Sequence, residues 1–204
     1  MRHFFIVASV TVLALPVTAV LPQARGRHIA TPPVPPAIKV DAGHKPFLVG
    51  RAVGTQNYVC LPSSSGFGWA LFGPQATLFD DNDKQRLTHF LSANPDEAGV
   101  LRATWQHSSD TSRVWARAIS SSSDPAFVGP DAIPWLLLEV AGTEDGPTGG
   151  RKLTATTFIQ RLNTAGGTAP STGCSTSTDV GRRTDVPYTA DYFFYRDRDR
   201  DDDN

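Results

Sequence analysis

The chain has 204 residues, with 19 Lys+Arg against 20 Asp+Glu and a formal net charge of −1. A near-neutral body without a basic stripe argues against nucleic acid as a partner, and the length is enough for one domain with its own core, without metals or many disulfides. Glu and Lys are scarce while Ser, Thr, Val and aromatic residues are plentiful, a composition that leans towards β structure.

The first nineteen residues carry a secretory pattern. Arg2 and His3 precede the apolar run Phe4–Leu15, and Val17-Thr18-Ala19 supplies small residues that place cleavage after Ala19. Pro16 makes the run marginal as a membrane span, which needs about 20 mostly apolar residues. An uncleaved anchor is the alternative. The expectation is a secreted or periplasmic protein with no integral membrane segment after signal cleavage. Residues 20–37 are a Pro-rich leader, expected to be extended and unable to join a sheet.

Residues 38–196 form a single β-rich domain. Strands are predicted at Pro46–Val49, Thr55–Cys60, Trp69–Phe72 and Gln75–Phe79, with a bend at Gly54 and a turn at Gly73-Pro74. The acidic loop Asp80–Asp83 leads into Arg86–Leu91, and Leu101–Gln106 and Arg113–Ile119 form a hairpin. After a polar connection come Ile133–Val140, apolar on both faces, then Thr154–Leu162 and a turn at Gly166-Gly167 that needs positive φ. Val186–Tyr195 is the last strand, and 197–204 are a charged, disordered tail. Short strands, Gly/Pro turns and no 3.6-residue period predict an all-β fold, a single-domain β-sandwich or barrel-like structure.

The usual catalytic and cofactor signatures are missing: no nucleophile elbow, no His-Glu-x-x-His, no Walker loop, no dinucleotide fingerprint. Asp80–Asp83 begins like a calcium loop but has Gln85 and Leu91 where Gly and Glu are required. No catalytic residue, metal ligand or cofactor is therefore assigned. His89, His107 and Asp110 are the candidate site, since two histidines and a carboxylate on neighbouring strands could bind a metal or transfer a proton. Satisfied surface or half-buried histidines are the alternative. Cys60 and Cys174 are the disulfide candidates in an oxidising compartment, with two unpaired thiols as the alternative. Arg161 and Asp191 each place a charge inside an apolar strand, which suggests an ion pair between them. Trp69, Trp105, Trp115 and Trp135 could stack on sugars, although core packing is the ordinary role of aromatics in strands.

Three segments carry a resemblance: Gly54–Cys60, Ile133–Leu138, and Phe158–Pro170 with its Gln-Arg-x-Asn-Thr-x-Gly-Gly run. With Cys174 and Val186–Tyr195 they make the chain similar to the DUF3455 family of exported bacterial and fungal proteins. The resemblance covers most of 38–196 and implies one domain and export; it implies no catalytic residue. The function expected is a non-enzymatic cell-envelope or extracellular binding module for a cell-wall or polysaccharide ligand. A metal-dependent or hydrolytic enzyme using His89 and His107, and a structural surface protein, are the alternatives.

Overall fold

The structure, a computed structural model, describes residues 29–201. The predicted signal and its predicted cleavage site lie outside these residues, as does the end of the charged tail.

Eight strands form a closed barrel: β1 (His44–Ser63), β2 (Gly66–Phe79), β3 (Gln85–Asn94), β4 (Val100–His107), β5 (Arg113–Ser122), β6 (Trp135–Glu144), β7 (Phe158–Gly166) and β8 (Arg183–Asp197). Each pairs antiparallel with the next in sequence, and β8 returns to β1. Closure leaves none of these eight strands as an edge strand. The barrel-like alternative of the sequence prediction is the one adopted.

Successive side chains on a strand face opposite ways, and here both faces are used. Tyr188, Ala190, Tyr192 and Phe194 point inward, where they meet Trp105, Leu78, Leu87, Val114, Leu138 and Ile159. Phe193 and Tyr195 point outward and join Trp135, Leu137 and Leu162 in a second apolar cluster. That outer cluster is covered by the stretch Ile29–Val40 and by Phe127, Val128 and Ala132. The first half of β6 is thus covered on both sides, as its run, apolar on both faces apart from Glu139, predicts.

The described part of the Pro-rich stretch, from Ile29 onwards, makes no strand pairing but packs as a strap. A short 3-10 turn at Pro36–Ile38 buries Ile38, and the Ile38 carbonyl accepts from Gln160 Nε2 at 2.6 Å. The other end of the Gln160 amide accepts from the Tyr195 hydroxyl. Residues 198–201 form another 3-10 turn, with the Arg198 N–H and Nε donating to the Gly43 and His44 carbonyls.

Two predicted interruptions differ. Gly54 does not bend the chain: β1 runs through it, and a Cβ there would lie 2.2 Å from the Gln75 carbonyl oxygen. It is a place of close backbone approach rather than a turn. Gly73-Pro74 lies within β2, beside a bulge that leaves Phe72 without a partner on β1. The predicted left-handed turn is found, with φ of +67° at Gly166 and +85° at Gly167.

Cys60 and Cys174 are bonded, with Cα atoms 5.5 Å apart and a sequence separation of 114. The bond ties the long β7–β8 connection to the end of β1. Hydrogen bonds from the Cys60 N–H to the Arg182 carbonyl and from Trp69 Nε1 to the Thr172 carbonyl hold the same loop.

Candidate functional site: a barrel cavity with a lateral mouth

The β2–β3 ladder runs only from Phe79↔Gln85 to Ala76↔His89, and the β4–β5 ladder only from Gln106↔Arg113 to Ala103↔Ala116. Beyond those pairs the β3–β4 hairpin leaves both of its neighbours. The sequence provides for this separation. Pro74 has no N–H to continue a ladder, so the pairing of β2 with β3 stops where Gly73-Pro74 begins.

The freed tip lies against the outside of the barrel. Asn94 Nδ2 donates to the Ala141 carbonyl, and Trp115 Nε1, facing outward, donates to Ser92 Oγ at 2.8 Å. Gly142 makes room for the tip: a Cβ there would lie 2.5 Å from Asn94 Oδ1 and 2.7 Å from Asp96 Oδ2. Gly142→Leu is accordingly expected to displace the tip and cost about 1–3 kcal/mol. Urea unfolding of the variant checks this, and an unchanged midpoint would show that the tip is not held there.

Where the hairpin departs, the barrel interior opens sideways into a cavity of about 340 Å³. Its walls are largely apolar, including Ala103, Trp105, Ala116, Leu136 and Leu138, and its rim carries Leu71, Leu91 and Leu101, which are 55%, 37% and 65% exposed. A shallower groove of about 700 Å³ follows the seam between β2 and β3, and the two meet at Gly73, Pro74, His89 and Leu91.

Six polar residues line the cavity: Gln56 from β1, His89 from β3, Arg102 from β4, Arg117 from β5, Arg161 from β7 and Tyr192 from β8. His89 is stacked on Trp105 with ring centroids 4.1 Å apart, and its Nδ1 donates to the Thr104 carbonyl at 2.9 Å. That bond places the proton on Nδ1 and leaves Nε2 as an acceptor. Burial pushes the His89 imidazole down to about 3; the Thr104 carbonyl opposes this and the Arg161 charge adds to it. A neutral ring of this kind is a weak proton acceptor near neutral pH.

Arg161 donates through Nε and Nη2 to the Pro134 carbonyl at 3.2 and 2.8 Å. The expected ion pair with Asp191 is not made. The two residues sit at neighbouring register positions, Arg161↔Tyr192 and Leu162↔Asp191, so their side chains leave opposite faces of the wall. Asp191 instead accepts from Asn163 Nδ2. Among the described residues no carboxylate pairs with Arg161. Its charge is felt by Tyr58, Tyr188 and Tyr192, whose hydroxyls burial holds protonated. The Tyr188 and Tyr192 hydroxyls are 3.3 Å apart.

Gln56 is 2% exposed, and its Nε2 has no hydrogen-bond partner of good geometry, although the Tyr188 hydroxyl is its neighbour. The other two arginines at the cavity are neutralised. Arg102 forks onto Glu97 at 2.6 and 2.7 Å, holding that carboxyl down at about 2, and Arg117 pairs with Glu139.

His107 and Asp110 are brought together, away from these residues. His107 Nδ1 lies 3.3 Å from Asp110 Oδ1 and accepts from the Ser109 N–H. Asp110 also accepts from the Ser112 hydroxyl and the Lys152 N–H, which locks the β4–β5 turn to the β6–β7 connection. His89 makes its contacts with Thr104, Trp105 and Tyr192 instead. The described residues form no group of three or more potential metal ligands. Of the four tryptophans only Trp105 lines the cavity; Trp115 is buried beneath the hairpin and Trp135 in the outer cluster.

Sequence reasoning missed Gln56 and Tyr192 and expected Arg161 in an ion pair with Asp191. A signal was available: Ile159 and Arg161 share one face of β7, and Tyr188 and Tyr192 share one face of β8.

A family model described as a protein of unknown function (DUF3455) matches residues 41–196. Neither a curated protein nor a solved structure matches the chain.

Proposed function

The chain belongs to the DUF3455 family of proteins of unknown function, and we propose that it is a non-enzymatic binding module of the cell envelope or extracellular space that takes a small apolar ligand into its barrel. The observation that carries this reading is the cavity opened by the departing β3–β4 hairpin. About 340 Å³ is within the usual range for small-molecule sites, as is a largely apolar wall with a few convergent polar groups. Leu71 and Leu101 at the rim are exposed at a cost that a bound apolar body would remove. The secretory pattern at the N-terminus and the disulfide support the location. A polysaccharide would fit the outer groove, where Thr55, Asn57, Gln75, Thr77 and Thr88 offer polar side chains.

The uncharged fluorophore N-phenyl-1-naphthylamine tests the cavity reading. One equivalent is expected to bind saturably, and Ala118→Trp, which places an indole at the mouth, is expected to abolish binding without unfolding the protein. Unsaturable binding, or wild-type binding by Ala118→Trp, would overturn it. Retention on cell-wall polysaccharide that Ala118→Trp leaves intact would favour the groove.

A further inference from the structure

We infer that the ligand is an organic monoanion, a carboxylate carrying an apolar tail, with its head group at Arg161. This rests on the cavity reading and specifies its ligand. The argument begins with charge. Arg161 brings a full positive charge to the cavity wall, and among the described residues its hydrogen bonds go to neutral oxygens, the Pro134 carbonyl and the Tyr192 hydroxyl. Arg102 and Arg117 at the same cavity have Glu97 and Glu139, so the missing counter-charge is particular to Arg161. Arg161 is half-buried beside an apolar space without a counter-charge, a partial desolvation that a bound anion would offset.

The neighbouring groups are of matching chemistry. Gln56, almost wholly buried, has an amide N–H₂ that makes no bond of good geometry, with the Tyr188 hydroxyl as its neighbour, and an under-satisfied buried donor calls for an acceptor. The Tyr192 hydroxyl lies beside the guanidinium and stays protonated, hence able to donate. One cation among neutral donors balances one negative charge; a phosphate dianion would leave an excess. Guanidinium and carboxylate are also matched in planar geometry. From Arg161 the walls run through Leu136, Leu138 and Ala103 to the exposed Leu71 and Leu101, which suits a tail that reaches the mouth.

Displacement of the bound fluorophore from the full exported chain by decanoate, decanol and decyl phosphate tests this. Decanoate is expected to compete at least about ten-fold better than decanol, the scale of a hydrogen bond to a charged group, and better than decyl phosphate. Arg161→Met is expected to remove the preference, so that decanoate and decanol compete equally when both are measured on the variant. Near-UV circular dichroism and retained fluorophore binding establish that the variant is folded. If it is not, the wild-type comparison still decides the matter. Equal competition by decanoate and decanol, or a preference for decyl phosphate, would overturn the head-group assignment with the cavity reading intact. Failure of the fluorophore itself would remove both.

Discussion

Replacing both Cys60 and Cys174 by Ser is expected to lower the unfolding free energy by about 4–5 kcal/mol and the midpoint of thermal unfolding by roughly 8–20 °C. The size follows from the loop that the bond closes. With a sequence separation of 114 between the partners, removing the bond restores considerable conformational entropy to the unfolded chain. The folded state gives little back, because the β7–β8 connection is also held by backbone bonds at Cys60 and by Trp69. Differential scanning calorimetry of the double variant checks the value, and a shift below about 2 °C would show that those bonds suffice alone. None of residues 168–182 lines the cavity, so fluorophore binding by the folded double variant should match wild type.

Acidification is the second large effect. The folded-state pKa of His89 is depressed to about 3, against an ordinary value of 6.5, because burial disfavours the imidazolium. Between those values the unfolded chain binds the proton and the folded chain does not, so stability rises with pH. The contribution is complete above about pH 6.5 and is lost as pH falls towards 3; by pH 4 the loss is about 3 kcal/mol. His107, also lowered by burial, acts in the same direction, with Asp110 opposing. The lowered carboxylates Asp80, Glu97, Asp110 and Asp179 lose their contributions only further down, as pH falls through the carboxylate range. Urea unfolding between pH 7 and 5 therefore isolates the histidines. His89→Gln keeps a donor for the Thr104 carbonyl but cannot take up a proton, and it should flatten most of that slope. A slope equal to wild type would assign the acid sensitivity elsewhere.

Much of the architecture is legible in local patterns. The alternation in Tyr188–Tyr195 and the two-sided apolar run of β6 follow from which faces meet a core. Gly166-Gly167 follows from the backbone angles that glycine alone adopts readily. What is not legible is what depends on partners far along the chain. Alternation is the same in a sandwich and in a barrel, so only the pairing of β1 with β8 decides between them. Gly54 looks like a bend because the sequence does not show that the Gln75 backbone approaches it. Arg161 and Asp191 look like a pair because each is a charge in an apolar strand, yet one position of register sends them to opposite sides of the wall. The candidate histidines were visible as residue types. The cavity was not, because it is made by the places where ladders stop.

The seam between β1 and β8 bears on how the molecule reaches its native state. It is the longest ladder in the barrel, running from His44↔Asp197 to Val59↔Arg183, and it joins the two ends of the domain. No nascent fragment that lacks the last strand can complete it, so the final closure waits until synthesis has passed Asp197. Contacts this remote in sequence place folding on the slow, millisecond-to-second side of the range for single domains. Until then β1 and β7 present unpaired edges, the interval in which this chain is most exposed to aggregation.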